Sequence, residues 1–299
     1  MKQTRMTLME WQERYSDERT CIEALIQMRW PDGFECPRCQ AKRSWFIEGY
    51  HLFECADCHE QISVTSGTLF HASKLPLTKW FVAIYFTAIN KGGISAERLS
   101  KYIDVTWKTA RLMLAKIRKA MGEQDQKYLL SGLIELDEAF VGGKTTGGKR
   151  GRGSESKTAI WVACENDAQH KRAGFLKMKA VETLDAASVK AFSAEAMVPG
   201  QDLRTDGSPT LKTLEGTHRV ESQVVPPKEA PKWLPWVHIA IANLKRYLLG
   251  TYHGVSGEYL QQYLDEFCYR FNRRWCELEI PNRLLSVLAN HKPVLRTSL

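Results

Sequence analysis

Apolar residues along the first 125 positions fall in patterns that change three times. From Leu8 to Met28 they recur at helical spacing, which predicts a helix. Two short aromatic runs, Trp45-Phe46-Ile47 and His51-Leu52-Phe53, flank Gly49 and predict a hairpin. "LPLTKWFVAIYFTAINKGG" then reads as a dense apolar helix stopped by Gly92-Gly93. Ser95 caps a short helix over Glu97–Tyr102, Ile103-Asp104-Val105 interrupt it, and Thr106 caps a second helix to about Met121. Leu99, Ile103, Val105, Ala110, Leu114 and Ile117 are expected inside. Trp107, Lys108, Arg111, Lys116, Arg118 and Lys119 are expected outside. Two short helices with a basic second member fit a helix-turn-helix whose Trp107, Lys108 and Arg111 meet DNA. A plain helical hairpin with a solvated basic face is the alternative.

Beyond Leu133 the periodicity shortens. Leu133, Ile134 and Leu136 predict a strand that delivers Asp137 and Glu138 at its end. "TAIWVACE" and "RAGFLKMKAV" predict two more strands, and "LDAASVKAFSAEAM" an amphipathic helix. "DLRTDGSP" predicts a short strand ending at Asp206, turned away by Gly207 and Pro209. "PWVHIAIANLKRYLLGTYHGVS" predicts a helix ending near Gly250, and residues 142–157 a flexible, glycine-rich basic loop. The fold class is α+β and multi-domain. Residues 1–72 hold an N-terminal helix and a metal ribbon, 73–125 the helix-turn-helix region, and 126–299 a mixed α/β core.

Composition narrows the partner. The 299 residues carry Lys+Arg 42 against Asp+Glu 34, a net charge of +8 that favours a polyanion such as nucleic acid. No run of 18 apolar residues occurs, so no membrane span is expected. The N-terminal stretch carries acids and lacks the apolar centre of a secretory signal. Eight cysteines are too sparse for a disulfide scaffold, which points to a reducing cytoplasm. Four of them stand as Cys36-x-x-Cys39 and Cys55-x-x-Cys58 with fifteen residues between the pairs, the spacing of a tetrahedral structural Zn²⁺ site. His51 and His59 lie close by, but four thiolates already close the shell and leave no catalytic position. Cys164, Cys268 and Cys276 are expected as buried thiols.

Asp137 and Asp206, at the ends of different strands, suit Mg²⁺ or Mn²⁺, which takes hard oxygen ligands. Two such ions can stabilise both the entering and the leaving oxygen of a phosphoryl transfer. Glu138 is secondary, because adjacent strand residues point to opposite faces.

These residues carry a resemblance that covers almost the whole chain. "CPRC", "FECADC" and "ISVTSGTLFHASKLPLTKWF" resemble the leader of the zinc-ribbon ISXO-like insertion-sequence transposases, relatives of the Merlin DNA transposons. "ELDEAFVGGK" and "TDGSP" resemble the regions of that group's two catalytic aspartates, and "HIAIANLKRYLLGTYHGVSGEYLQQYLDEFCYRFNRR" resembles its C-terminal signature. The resemblance implies an RNase H-like core with two divalent metals, and places the aspartates at Asp137 and Asp206. Its third position, a glutamate in many members, falls here on Asn243, with Lys245 beside it to hold a phosphate. Glu266 is the rival third acid, although Glu266 and Arg270 one turn apart also suit an ion pair. The 37 residues from Asp206 to Asn243 suit the second-to-third interval of this class. His238, five residues before Asn243, does not align with it on a helix and reads as structural or DNA-facing. Trp233 and Trp236 suit base stacking or packing, and Arg270, Arg273 and Arg274 suit phosphate contact or solvation. The function implied is a DNA transposase acting on terminal inverted repeats and target DNA, as a homodimer or larger assembly, in a nucleoid-associated cytoplasmic setting. A transposase-derived DNA-binding protein without activity, and a metal-dependent nuclease without strand transfer, are the alternatives.

Overall fold

Capping residues decide where the first helices begin. In the computed structural model, which describes residues 5–142, 157–226 and 228–294, the expected single helix from Leu8 to Met28 is two: α1 (Leu8–Arg14) and α2 (Glu18–Arg29). The Asp17 carboxylate accepts the Thr20 N–H at 2.8 Å, and the Thr20 hydroxyl reaches back to the Asp17 backbone. That reciprocal pair starts a new helix rather than continuing the old one.

The ribbon that follows has β1 (Ser44–Ile47), β2 (Leu52–Cys55) and β3 (Gln61–Ser63), antiparallel in that order. The β1–β2 connection is a 3₁₀ turn over Glu48–Tyr50 closed by His51 in the left-handed conformation at φ 50°. The hairpin is as expected, but His51 rather than Gly49 takes the positive φ. A small core of Phe34, Cys36, Cys55 and Ile62 fills the ribbon, with Phe34 stacked on Phe53 at 4.7 Å.

Three helices come next: α3 (Leu77–Ile89), α4 (Ala96–Tyr102) and α5 (Trp107–Asp125). Ser95 and Thr106 cap as their positions suggest, accepting from the N–H of Arg98 and Thr109 at 3.2 Å each. The start of α3 has no cap of its own; the Glu18 carboxylate accepts the Leu77 N–H at 2.7 Å instead. Leu99, Ile103, Ala110, Leu114 and Ile117 are buried and Val105 half-buried. Three side chains depart from expectation: Arg118 is buried, and Lys116 and Lys119 are half-buried.

The chain divides into two compact units. One comprises Met1–Asn90, Ile94–Ala120 and Trp275–Leu299; the other comprises Lys91–Gly93 and Met121–Arg274. Ribbon and helical region therefore share a unit. The last helix, Ile280–Ala289, packs on α2 and α3 rather than on the core it was expected to join.

The second unit is built on β4 (Leu133–Gly142), β5 (Lys157–Asp167), β6 (Arg172–Val181), β7 (Asp202–Asp206) and β8 (Arg219–Gln223). Their order is β6-β5-β4-β7-β8, with β5 antiparallel to β4 and β6, and β7 parallel to both β4 and β8. This mixed sheet, antiparallel on one side of β4 and parallel on the other, is the mixed α/β core expected for this part of the chain. Ile134, Leu136, Trp161, Ala163 and Leu203 face α6 (Ala186–Ala196) and the short α7 (Pro209–Lys212). Ala139, Val141, Ile160, Val162 and Leu176 face the other way. There they meet α9 (Pro235–Tyr252), which follows the four-residue α8 (Ala230–Trp233), and α10 (Gly257–Phe271). The basic loop expected over residues 142–157 lies, from residue 143 to 156, outside the described residues. Among the described residues no helix is long and apolar enough to cross a membrane.

Candidate metal centres

The first centre is set by two tight turns. Cys36 and Cys39 stand ahead of β1, Cys55 ends β2, and Cys58 lies in the turn before β3. One sulfur of each lies within 4.8 Å of the other three. Cys36 Sγ is 3.6 Å from Cys58 Sγ, and Cys39 Sγ is 3.5 Å from Cys55 Sγ. A tetrahedron with ~2.3 Å metal–sulfur bonds has edges of roughly 3.8 Å, so the donor set fits zinc. A disulfide needs about 2.05 Å, and all four cysteines are free thiols. Backbone N–H groups that point at Cys55 pull its thiol down to about 7, whereas Cys39, despite the Ala41 backbone donor, is pushed up to about 12 by the other three sulfurs. His59 instead lies beside Glu54, at 3.6 Å.

The second centre forms where β7 stops. β4 pairs with β7 only from Leu133 to Leu136, and β7 ends at Asp206. Asp137 is thus the first residue of β4 beyond its partner, although the strand continues to Gly142 instead of ending at the acids. In a parallel pair, residues in register share a face. Leu136 is in register with Thr205, so the next pair, Asp137 and Asp206, falls on the opposite face, toward α9. Glu138 belongs to the other face, yet one of its carboxylate oxygens lies within 4.8 Å of one from each aspartate. Past Leu136, β4 is paired only on its β5 side, with Glu138 opposite Trp161, and the side where β7 stops is open. Backbone donors secure the aspartates: the Glu138 N–H meets Asp137 Oδ1 at 2.8 Å, and the Ser208 N–H meets Asp206 Oδ1 at 3.0 Å. Three carboxylates this close supply the hard oxygen donors that Mg²⁺ or Mn²⁺ takes.

Helix α9 meets this centre by an anchor that the sequence reading missed. Glu135, wholly buried, lies two residues before Asp137 on the same face of β4. Its Oε2 accepts the N–H groups of Trp236 at 2.7 Å and Val237 at 2.8 Å, and its Oε1 accepts from Asn166 Nδ2 at 2.8 Å. Pro235 opens the helix and has no N–H, so Glu135 satisfies two of the remaining open donors. Burial raises the Glu135 carboxyl above its ordinary range, against those hydrogen bonds. A period-two reading of Glu135 and Asp137 in "IELDE" would have put both on one face.

The next residue, His238, brings Nδ1 to 3.8 Å from Asp137 Oδ2. Burial lowers its imidazole below the ordinary histidine value; Asp206 opposes that shift and Lys245 adds to it. Asn243 is five positions on, about 140° around the helix, on the opposite flank of the buried Val237–Ile241–Leu244 stripe. Exposed Lys245, seven positions on, returns to within about 20° of His238. Through His238, α9 thus approaches Asp137.

Glu266 does not join them. It is wholly buried on α10, with Oε1 3.2 Å from Arg270 Nη2, and Arg270 also lies over the Tyr247 ring at 5.1 Å. Arg273 pairs with Asp125 at 2.7 Å, and Arg274 donates to backbone carbonyls of Gly174 and Phe271. The three arginines, which suited phosphate contact or solvation, are thus turned into the unit's interior contacts. Trp233 donates its indole N–H to the Thr205 carbonyl at 2.8 Å and, with Trp236, packs on the core. In the first unit Trp107, Lys108 and Arg111 are exposed on the opening turns of α5, with the Arg111 guanidinium 5.8 Å from the Trp107 ring centre.

Comparison with known proteins agrees with this division. Residues 129–272 match the ISXO2-like transposase domain and residues 16–61 match the transposase zinc-ribbon domain. The chain is 26% identical over 278 residues to an uncharacterized protein in transposable element ISH50 of Halobacterium salinarum, covering 86% of this chain and 91% of that one. Among solved structures, a pre-cleavage Mos1 transpososome aligns with 68% of this chain and 75% of its own, at 14% identity and TM-score 0.28. A Mos1 mariner paired-end complex with Mn aligns with 65% and 73%, at 15% identity and TM-score 0.28.

Proposed function

We propose that this chain, an ISXO2-like transposase domain preceded by a transposase zinc ribbon, cuts a DNA strand at its element's end and joins the freed 3′-hydroxyl to target DNA. The observation that carries this reading is the convergence of Asp137, Glu138 and Asp206 within 4.8 Å at the end of the β4–β7 pairing. Carboxylates so close repel unless a cation or a proton intervenes. A divalent cation at such a site stabilises negative charge on the entering and departing oxygens of phosphodiester exchange. Asp137 and Asp206 hold Mg²⁺ or Mn²⁺, with Glu138 beside them. Lys245, exposed on the flank of α9 that His238 occupies, takes a DNA phosphate. Both steps exchange one phosphodiester oxygen for another and need no protein-linked intermediate.

The zinc ribbon and the α4–α5 pair bind the terminal inverted repeats. Trp107, Lys108 and Arg111 sit at the positive end of α5, where phosphate is favoured. The net charge of +8 supports a polyanionic partner. Acting on two ends calls for at least a homodimer on DNA, and such work belongs with the nucleoid in the cytoplasm.

The test incubates purified protein with element-end duplex and Mg²⁺ or Mn²⁺. Nicked and joined products are expected from the native chain. Neither is expected from Asp137→Ala, which should still bind the end. Nicks without joining identify a nuclease, and end binding without either product identifies a regulator. Replacing Lys108 and Arg111 together with Ala should weaken binding to the element end more than to random duplex; equal losses would reduce α5 to a general phosphate contact.

A further inference from the structure

We propose that Trp233 and Ser222 are positioning residues of the core metal centre: together with Glu135 they clamp the ends of β4 and β7 and so set the spacing of Asp137 and Asp206. This rests on the cation-dependent reading above. Backbone pairing between β4 and β7 stops at Leu136 and Thr205, one residue short of both aspartates. From there each aspartate is paired only outward, Asp137 with Val162 of β5 and Asp206 with Gln223 of β8. Two carboxylates that repel each other favour drawing apart at such a seam.

Side chains close the seam that the ladder leaves open. The Trp233 indole N–H donates to the Thr205 carbonyl, next to Asp206, at 2.8 Å. A few residues on, the N–H groups of Trp236 and Val237 donate to the Glu135 carboxylate, two residues before Asp137. One short segment, residues 233–237, thus grips both strands beside their aspartates. Trp233 is itself held in place: it packs on the core, and the Arg204 guanidinium lies 4.6 Å from its ring centre, which occupies one face of the ring. Ser222 of β8 completes the hold, because its hydroxyl donates to the Asp206 carbonyl at 2.6 Å. The carbonyls at the end of β7 are thereby fixed, and with them the point from which the Asp206 carboxylate reaches out. A preset pair of carboxylates suits Mg²⁺, which demands near-ideal octahedral geometry, more than Ca²⁺, which tolerates irregular shells.

The experiment titrates Mn²⁺ onto the full chain, follows the electron paramagnetic resonance of the free ion, and adds Mg²⁺ or Ca²⁺ as competitor. Trp233→Phe keeps an aromatic ring and removes the N–H. It should weaken Mg²⁺ by roughly tenfold and Ca²⁺ by less, with the thermal transition of the metal-free protein close to native. Ser222→Ala should shift the two ions in the same direction by a smaller factor, and Ser222→Thr, which restores the hydroxyl, should recover native affinity. Equal losses of Mg²⁺ and Ca²⁺ with a lowered transition would make these residues structural only and overturn the proposal. Native affinities in both Trp233→Phe and Ser222→Ala, with Asp206→Ala still weakening Mn²⁺, would overturn it and leave the cation site standing. If the native chain binds no Mn²⁺ at all, the cation site falls with it. Should Trp233→Phe fail to fold, the contrast between Ser222→Ala and Ser222→Thr decides.

Discussion

The four thiols of the ribbon come from two Cys-x-x-Cys turns bridged by one hairpin, while the carboxylates of the core come from β4 and β7, with β5, β6 and α6 between them in the chain. The thiol set is complete in itself: four donors close a tetrahedron, and the binding energy goes into folding a module with a very small core. The carboxylate set is held by a large sheet that folds around its own apolar faces. Its clustered negative charge is unfavourable to the fold unless a cation or a proton offsets it. One centre is part of what makes its surroundings fold; the other is carried by surroundings that fold anyway.

Breaking each centre should separate the two kinds. Cys55→Ser has the largest expected effect, because structural zinc contributes about 10–16 kcal/mol of apparent binding energy. Hydrogen exchange should show the ribbon amides of β1 to β3 losing protection while β4 and β5 keep theirs; a joint loss would make the two centres energetically one. Asp206→Ala should lower strand cleavage by on the order of 10³-fold or more, about 4 kcal/mol of barrier. It should leave the thermal transition unchanged or raised, since a repelling charge is gone. A clear drop in that transition would show the carboxylates to be structural after all.

Arg270→Ala sharpens the contrast by removing charge that does serve the fold. Leaving Glu266 buried without its partner should cost about 3–5 kcal/mol of stability, read by urea denaturation. DNA affinity per folded molecule should not change, whereas a loss of affinity would return Arg270 to the DNA surface.

The smallest effect concerns Asp265 on α10, whose carboxyl burial pushes up to about 7, with Asp125 adding to the shift and Gln261 opposing it. Gly122 of α5 leaves room for it: a Cβ there would lie 2.5 Å from the Asp265 carboxyl carbon. Because the folded value is above the unfolded one, the folded state keeps a proton that the unfolded chain loses. This contribution to stability is full at low pH. It declines as pH rises from about 4 to about 7, by roughly 1.4 kcal/mol per unit for one proton, and is flat above. Asp265→Asn should flatten that part of the stability–pH profile; an unchanged slope would assign it to other groups.

What was legible in the sequence follows the same division. The zinc site could be read whole, since spacing and hairpin are local. Asp206 was legible because a strand followed by Gly-Ser-Pro can only stop there. The Glu266–Arg270 pair was legible as helical spacing, though its burial was not. The preference for Asn243 over Glu266 came from an interval along the chain, which says nothing about how a helix meets a sheet; that depends on Glu135, a contact between residues about a hundred positions apart. The three arginines after Tyr269 misled for a related reason. Charge suggested a surface, but Asp125, the Glu266 carboxylate and free carbonyls were waiting to receive them.

The grip of Glu135 on the start of α9 has a consequence for how such chains vary. The helix takes its register from the sheet, so the length of chain that delivers it is free to drift. Residues added between Gln223 and Ala230 would cost only loop-closure entropy, about 0.6 kcal/mol for each doubling of the loop, and His238 would still face Asp137. The seat of α9 on β4 is therefore set by one buried carboxylate and two backbone N–H groups, not by the number of residues that separate Asp206 from the helix.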